Sequence, residues 1–402
     1  MINYSIGISR IADPISAAKE ATQQAALKFT GNKVQLAMIF VSIDLAGPAL
    51  GKIVKDQVFD APVIGLSGTA IITPQGILKQ GLMVVFFEFE SGFNFSCDCV
   101  KNISAKNSLE SGKELGWKLL SSFKESARHF ALMFSDGLLG TGSSVINGMQ
   151  ERLGNSFPII GGCASDNLRF KKTFIYYNEE ILTKAACGIL VGGNANFSVG
   201  IKHGWKPLGK LHTVTQAQAN VVFTIDNKPA ASFYEEYLAL DIKSLQRESK
   251  IISTLYPLGV YIPGEEEYLL RNIISIENDG ALVFQGEIPV DSQVRLMIGN
   301  KDSCLEAAKE AAETAYLELR QQEQHLHSHL HNAIAFIFDS SSRYLLLRKD
   351  ADKELQAIKE SLGDIPLIGI YTYGEQAPLK AVKYRGRTHF HNQTITIMIL
   401  EG

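Results

Sequence analysis

Apolar residues in this chain cluster in strand-sized runs, and two such runs recur together three times. The first run starts with alanine and ends with phenylalanine, at residues 37–40, 131–134 and 335–338. The second run is led by proline and contains glycine, as in APVIGLSGTA from Ala61, FPIIGGCASD from Phe157 and IPLIGIYTYGE from Ile365. Short apolar runs bounded by turn residues are typical of strands buried on both faces. The pattern therefore predicts an internal repeat.

Helical periodicity surrounds these strands. Asp13 and Pro14 suit the cap and first position of one helix, and Ser303 with Glu306 has the spacing of a capping box before another. Each unit is predicted as helix, strand, helix, strand and β-hairpins. The fold class expected from this order is mixed α/β, with repeated units that form two domains with mixed sheets.

The glycines of the second runs predict sharp turns or close approaches of the backbone. Open α/β sheets bind ligands at the carboxyl ends of their strands, so we expect these strand ends to meet at a shared cavity. Residues 194–300 lie between the second and third units and do not repeat. This region is either a domain of its own or the side of a binding site. We place the domain boundary in the charged stretch after residue 240, which predicts domains at 1–240 and 241–402.

Composition narrows the possible functions. The 402 residues carry a net charge of -3 without any lysine or arginine run, which argues against a nucleic-acid partner. Five cysteines, an odd and scattered set, fit a reducing compartment. The sequence shows neither a signal-peptide pattern nor an apolar stretch of membrane-spanning length, so we expect no membrane association and a cytoplasmic location.

Two glycine-rich segments resemble catalytic or phosphate-binding motifs only in part. DGLLGTGSS at residues 136–144 follows a strand and opens a helix, where backbone N–H groups can hold an anion, but a tight turn explains it equally. GLSG at residues 65–68 lacks the G-x-S-x-G spacing of a nucleophile elbow. Because no nucleophile, base and orienting group can be assembled, the chain is not expected to be an enzyme.

Histidine and cysteine offer further candidates, each with a structural alternative. The tract HLHSHLH places four histidines at residues 325–331, and Cys97 and Cys99 share one side of a predicted strand. Both could bind a metal, although a histidine tract of this kind is also typical of a solvated segment that connects two elements. KHGWKPLG from Lys202 places His203 and Trp205 at one turn, either in a site or as a packed corner.

These segments, taken in order, resemble the FIST sensory family. GIKHGWKPLG and TIDNKPAASFYEEYL resemble the end of its N-terminal domain, and FPIIGGCASD resembles its Gly-Gly turn. YLLRNIISIENDGALVFQGEIP, GIYTYGEQAP and HFHNQTIT resemble its C-terminal domain. The resemblance covers nearly the whole chain.

The resemblance implies a sensor that binds an amino acid or related metabolite and signals in trans to a partner, such as a histidine kinase or another signalling protein. A similar subgroup binds haem b and senses nitric oxide. In that case His203 would be the axial ligand, with His389 and His391 as alternatives. A third possibility is an adaptor whose repeats bind another protein.

Specific side chains suit a metabolite. Arg271 can grip a carboxylate with two N–H bonds, unless it pairs with Glu266 or Glu267, and Glu375 can bind an ammonium group. Trp205 and Tyr371 can supply apolar surface. The Gly-Gly turn adds three further expected ligand-binding residues, Gly161, Gly162 and Cys163.

Overall fold

The computed structural model describes residues 2–124, 127–265, 267–323, 332–379 and 386–402. Three repeats of one unit build the fold, and each unit runs strand, helix, strand, helix, strand, hairpin, strand. The predicted fold class, mixed α/β with repeated units and mixed sheets, is confirmed. Within the described ranges, no helix has the length and apolar character that crossing a bilayer requires.

The first and second repeats contain no insertion. The first consists of β1 (Ile2–Ser9), α1 (Pro14–Lys28), β2 (Leu36–Ser42), α2 (Ala49–Val58), β3 (Val63–Gly68), β4 (Ile71–Thr73), β5 (Gly76–Leu78) and β6 (Leu82–Phe89). The second consists of β7 (Phe93–Val100), α3 (Ser108–Ser122), β8 (Arg128–Ser135), α4 (Gly142–Leu153), β9 (Ile159–Cys163), β10 (Ile175–Tyr177), β11 (Glu180–Leu182) and β12 (Ala186–Gly193).

The third repeat is interrupted after its first strand, β13 (Asn196–Lys202), by an inserted layer. The layer contains β14 (Lys206–Gln218), β15 (Val221–Ile225), β16 (Lys228–Pro229), α5 (Ala230–Leu238), α6 (Ile242–Leu255), β17 (Leu258–Val260), β18 (Leu269–Arg271), β19 (Ile273–Ile276), β20 (Leu282–Phe284) and β21 (Gln293–Ile298). The repeat then resumes with α7 (Lys301–Glu323), β22 (Ile334–Ser340), α8 (Ser341–Leu347), α9 (Ala351–Leu362), β23 (Leu367–Thr372), β24 (Glu375–Pro378), β25 (Thr388–His391) and β26 (Ile395–Glu401).

Each repeat completes its sheet with a hairpin from another repeat. The sheets run β1-β6-β2-β3-β10-β11, β7-β12-β8-β9-β24-β25 and β13-β26-β22-β23-β4-β5 in the described part of the chain. The second repeat thus lends a hairpin to the first, the third to the second and the first to the third. Because each of these three sheets contains strands of two repeats, the three units form one body.

The central strands β2, β8 and β22 are buried on both faces, as their apolar runs predict. Alternate residues point to a common core, where the ring centroid of Phe134 lies 6.1 Å from that of Phe40 and 5.8 Å from that of Phe338. The intervening residues pack under the helices of their own repeat. The core therefore lies between the three sheets, and the helices cover the outside.

The recurring glycines have a packing reason. An added Cβ on Gly65, Gly161 or Gly369 would meet the carbonyl oxygen of the neighbouring parallel strand at 2.3, 2.0 and 2.1 Å. Since real Cβ atoms do not approach so closely, only glycine fits at these positions. The close approach expected from the sequence is made to the neighbouring strand in each of the three repeats.

Hydroxyl groups from all three repeats meet where the strands end. Thr69 Oγ1 lies 3.0 Å from Ser165 Oγ and 2.7 Å from Ser341 Oγ, and the three side chains are buried. Ser165 Oγ also accepts the N–H of Thr69 and donates to the carbonyl of Tyr371. This hydroxyl cluster occupies the meeting point of the repeats.

The inserted layer has its own apolar core beneath α5 and α6. The predicted domain boundary after residue 240 falls between these two helices, and it stays a prediction. The helix predicted to begin with a capping box at Ser303 starts earlier, at Lys301. Asn300 caps it instead, since its Oδ1 accepts the N–H of Ser303 at 2.9 Å.

Replacement of Ser165 by alanine should lower the free energy of unfolding by about 1 kcal/mol, because the N–H of Thr69 and the carbonyl of Tyr371 lose their bonds to Ser165 and keep only the 3.2 Å bond to each other. Urea unfolding measures this loss. Ser121→Ala, at an exposed position on α3, is the control and should change stability by less than about 0.5 kcal/mol. Equal stabilities of the two variants would show that the hydroxyl cluster does not hold the repeats together.

Candidate functional site

The strand ends converge as expected, but the hydroxyl cluster fills their meeting point. Cavities lie instead along the inserted layer. Three of them have volumes of about 480, 260 and 230 Å³, and we name them the Arg271, Asn272 and His203 cavities after a residue lining each. The layer, which the sequence suggested as the side of a site, contributes to all three.

The Arg271 cavity lies where three parts of the fold meet. The second repeat contributes Ser143 and Asn147 from the first turns of α4, and the third repeat contributes Arg387 and the strand β25. The inserted layer contributes β17, β18 and the segment from residue 287 to 293. A ligand here would contact all three parts at once.

Arg271 is 3% exposed and keeps its guanidinium in place through carbonyl groups. Nη1 donates to Leu270 O at 2.9 Å and to Phe390 O at 3.0 Å, and Nε donates to Glu287 O at 3.1 Å. No carboxylate among the described residues lies within ion-pair distance of it; Glu267 pairs with Lys202, and Glu266 lies outside the described residues. Burial lowers the pKa of Arg271 to about 10, so the side chain stays cationic at neutral pH.

Other polar groups surround the same cavity. Arg387 donates to Asn147 Oδ1 at 2.6 Å, and burial together with the charge of Arg271 lowers the pKa of His389 to about 4. The hydroxyl of Ser143, on the first turn of α4, is buried without a hydrogen-bond partner. Glu287 accepts a hydrogen bond from Ser144 on that turn and supplies a carboxylate to the cavity.

His203 and Trp205 form a packed turn. The Trp205 N–H donates to His203 Nδ1 at 2.9 Å, and the buried indole donates from Nε1 to Thr254 O at 3.2 Å. His203 Nε2 lies 2.9 Å from Glu267 Oε2, at ion-pair distance although its N–H is not aimed at the oxygen. Burial raises the pKa of Glu267, but His203 and Lys202 outweigh burial and lower it to about 2.

A haem does not fit at His203. Nδ1 accepts a backbone N–H and Nε2 faces a carboxylate, so neither nitrogen is open to iron. His391 is also enclosed, since its Nε2 lies 2.9 Å from Ala377 O and its side chain is fully buried. Among the described residues, no three His, Cys, Asp or Glu side chains are grouped so that they could hold a metal ion. Cys97 and Cys99 therefore do not belong to such a group. The tract at residues 325–331 lies outside the described residues.

Glu375 and Tyr371 do not line any of the three cavities. Glu375 is fully buried and accepts hydrogen bonds from the hydroxyls of Thr372 and Thr394, both at 2.7 Å. Burial raises its pKa to about 8 despite these bonds. The Tyr371 ring is 1% exposed and lies 4.5 Å from the Tyr344 ring. Their roles in ligand binding stay predictions.

The Gly-Gly turn is also part of the packing. A Cβ on Gly162 would lie 2.6 Å from Cγ2 of Thr372, which belongs to the third repeat. The thiol of Cys163 is buried 3.1 Å from Ser135 Oγ, and burial raises its pKa to about 12. Gly161, Gly162 and Cys163 therefore lie at a contact between repeats, away from the three cavities.

The sequence analysis missed a buried charge cluster beneath His203. Arg343 is 0% exposed and pairs with Glu354 and, at 2.9 Å, with Asp339 Oδ1. Its Nη1 also donates to His203 O at 2.6 Å, which fixes the turn. Burial and the neighbouring Glu354 raise the pKa of Asp339 well above its usual range. The four-residue spacing of Asp339 and Arg343 was the available signal.

Two family models cover most of the chain, the FIST N domain at residues 35–228 and the FIST C domain at residues 230–378. The chain belongs to the FIST family. FIST domains are associated with signalling and with the sensing of small ligands. The two models meet near β16, about one helix before the boundary predicted from the sequence.

Relatives of this FIST protein include an uncharacterized protein of Mycobacterium bovis, 23% identical over 99% of this chain and 98% of that protein. An uncharacterized protein of Methanocaldococcus jannaschii is 24% identical over 58% of this chain and 48% of that protein. Among solved structures, cyanuric acid hydrolase from A. caulinodans covers 100% of this chain and 99% of its own at 7% identity and a TM-score of 0.39. A similarity this distant carries no functional conclusion.

The raised pKa of Glu375 predicts a stability change with pH. Between about 4.5 and about 8 the folded protein retains a proton on Glu375 that the unfolded chain releases, so this group favours folding less as pH rises through that window. Glu375→Gln removes the titrating group. The free energy of unfolding of this variant, measured in urea, should therefore decline less with pH across the window than that of the wild type. Glu360→Gln, at an exposed position on α9, should keep the wild-type slope. Identical slopes for wild type and Glu375→Gln would contradict the assignment.

Proposed function

We propose that this FIST protein is a sensor whose ligand is a small carboxylate, such as an amino acid, bound in the Arg271 cavity. The observation that carries the proposal is a buried, cationic Arg271 beside a cavity of about 480 Å³, without a carboxylate at ion-pair distance among the described residues. Ligand cavities in proteins typically measure ~300–1,000 Å³, so the volume suits a metabolite.

The energetics of Arg271 favour an anionic ligand. A buried charge is unfavourable unless a counter-charge and hydrogen bonds compensate for lost hydration. Backbone carbonyls accept three of its hydrogen bonds, and the charge of Glu287, which lies beyond ion-pair distance, offsets the effect of burial only in part. A ligand carboxylate would supply the remaining counter-charge and can accept N–H bonds from Nη2, the guanidinium nitrogen that these three carbonyls do not use. Arg387 and the positive end of the α4 dipole add to the same potential.

An amino acid also needs a partner for its ammonium group. Glu287 and Asp291 both line the Arg271 cavity and provide carboxylates for this purpose. Glu375, which the sequence suggested for this role, lies away from the cavity. We therefore assign the ammonium contact to Glu287, which is half-buried and held in place by a hydrogen bond from Ser144, whereas Asp291 is exposed.

The position of the cavity supports a sensory role without catalysis. Its lining combines a helix of the second repeat, a strand of the third repeat and the inserted layer, so a bound ligand contacts all three parts. A ligand that favours one arrangement of these parts shifts the population of that arrangement. The proposed output is a partner acting in trans, a histidine kinase or another signalling protein.

Amino acids should raise the melting temperature of the protein, because they bind the folded state alone. Thermal shift with the common amino acids, each compared with its amide, tests both the ligand class and the need for a carboxylate. The amides should give no shift. If no amino acid stabilises the protein, or if the amides stabilise it equally, the proposal fails.

Arg271→Lys should weaken the best ligand at least about tenfold, since lysine keeps the charge but its single ammonium group cannot hold the three carbonyls and bind a carboxylate at the same time. Calorimetric titration measures the affinity. Arg387→Ala, at the exposed edge of the cavity, should also weaken binding, and it guards against a folding defect in the first variant. Arg247→Ala, at an exposed position on α6, is the control. Wild-type affinity in both cavity variants would contradict the assignment.

A further inference from the structure

The Asn272 cavity lies on the other side of the strand that carries Arg271. It has a volume of about 260 Å³ and opens between α6, β19, the end of β23 and the loop that follows β9. Successive side chains of an extended segment point to opposite sides, so Arg271 lines one cavity and Asn272 lines the other. Gln285 lines the Asn272 cavity and Glu287 lines the Arg271 cavity.

The polar groups of this cavity are almost all uncharged. Hydroxyls come from Ser253, Ser342 and Thr372, and carboxamides come from Asn272 and Gln285. The only charged side chain in the lining is Lys250, which is exposed on α6. A charged ligand would lose hydration here without meeting a buried counter-charge, whereas a neutral ligand would keep its hydrogen bonds.

Each carboxamide has one atom firmly bonded, since Asn272 Oδ1 accepts a hydrogen bond from Gln393 Nε2 and Gln285 Nε2 donates to Tyr373 O at 2.5 Å. The other atoms, Asn272 Nδ2 and Gln285 Oε1, are bonded only loosely. Asn272 Nδ2 lies 3.3 Å from Ser342 Oγ and 3.4 Å from Gln285 Oε1, both beyond the usual range of about 2.7–3.2 Å. Together, Asn272 Nδ2 offers a donor and Gln285 Oε1 offers an acceptor to a ligand. The same complementary pair occurs in the amide edges of ligands such as a lactam or a primary carboxamide.

An aromatic pair lies at the mouth of the cavity. The rings of Phe170 and Tyr373 are stacked, with centroids 4.9 Å apart and planes 16° apart, and Phe170 remains 47% exposed. Leu168, Ile274 and Leu345 surround the pair with further apolar surface. Stacked rings accept a flat apolar face as a third partner.

The loop that carries Phe170 is held in position by Asp166. Its carboxylate accepts the N–H groups of Phe170 and Lys172, both at 2.9 Å, and a hydrogen bond from Tyr373. Phe170 has a φ of +51°, a conformation that non-glycine residues rarely adopt. Hydrogen bonds to Asp166 therefore maintain the aromatic mouth in a conformation that the free loop would not favour.

From these observations we infer that the Asn272 cavity is a second binding site, for an uncharged, planar molecule with an amide edge. The amide edge bonds to Asn272 and Gln285, and the flat face packs against the aromatic pair. The volume, below the ~300 Å³ of common ligand cavities, limits the ligand to one small ring system.

Nicotinamide and uracil are suitable probes, and nicotinate is the charged counterpart of the first. Saturation-transfer NMR on the full chain should detect both uncharged probes at millimolar concentration and give a dissociation constant for nicotinate at least about tenfold weaker. Ile274→Trp, at an exposed position in the lining, should abolish the signals by filling the cavity. Leu317→Trp, on an exposed face of α7, is the matched control and should leave them unchanged.

Three outcomes would overturn the inference. In the first, the wild-type protein binds neither uncharged probe. In the second, it binds nicotinate with the same affinity as nicotinamide, and Ile274→Trp abolishes the binding of both. Alternatively, probe binding survives Ile274→Trp but disappears in Arg271→Lys, which would place the probes in the other cavity. A folding defect is excluded by comparing the melting temperatures of the two tryptophan variants.

Discussion

The exchange of hairpins between repeats is the constraint on which the rest of the structure depends. The sheet of each repeat ends in a hairpin from a neighbouring repeat, so β3, β9 and β23 each pair with a strand of another repeat. Unpaired strand edges expose backbone N–H and C=O groups, and the exchange pairs these groups on β3, β9 and β23. A repeat that separated from the others would lose both its own sheet edge and the edge of its neighbour.

That constraint determines where ligands can bind. Because the hairpins draw the strand ends together, Thr69, Ser165 and Ser341 come within hydrogen-bonding distance and close the position that open sheets leave for a ligand. The inserted layer provides the cavities that are missing where the strand ends of the repeats meet. It packs against the strand ends of the third repeat and the first turns of α4, and the cavities follow its edge.

The repeat, the buried strands and the fold class could be predicted because they depend on local apolar patterns. The central strands repeat with the same alternation, and the glycines are fixed by contact with an adjacent strand. The hairpin exchange could not be predicted, since β4, β10 and β24 carry no local sign of which sheet they join. Arg271 was predicted from its chemistry alone and does line the largest of the three cavities. Glu375 has equally suitable chemistry, but β24 inserts it into the interior, and only the tertiary structure reveals that.

The backbone around Arg271 and Asn272 connects the two largest cavities mechanically. Arg271 Nη1 holds Phe390 O, and the N–H of Asn272 donates to Asn392 Oδ1 at 3.4 Å, so the layer strand and the turn after β25 are joined on both sides. The N–H of Gln285 donates to Asn272 O at 2.8 Å, and this bond joins Asn272 to the neighbouring segment of the inserted layer. Protein interiors are close-packed, so a group that pulls on Arg271 also displaces its neighbour. Hairpin exchange joins the repeats to one another, whereas these hydrogen bonds join the inserted layer to the third repeat, so ligands in the two cavities act on the same contacts.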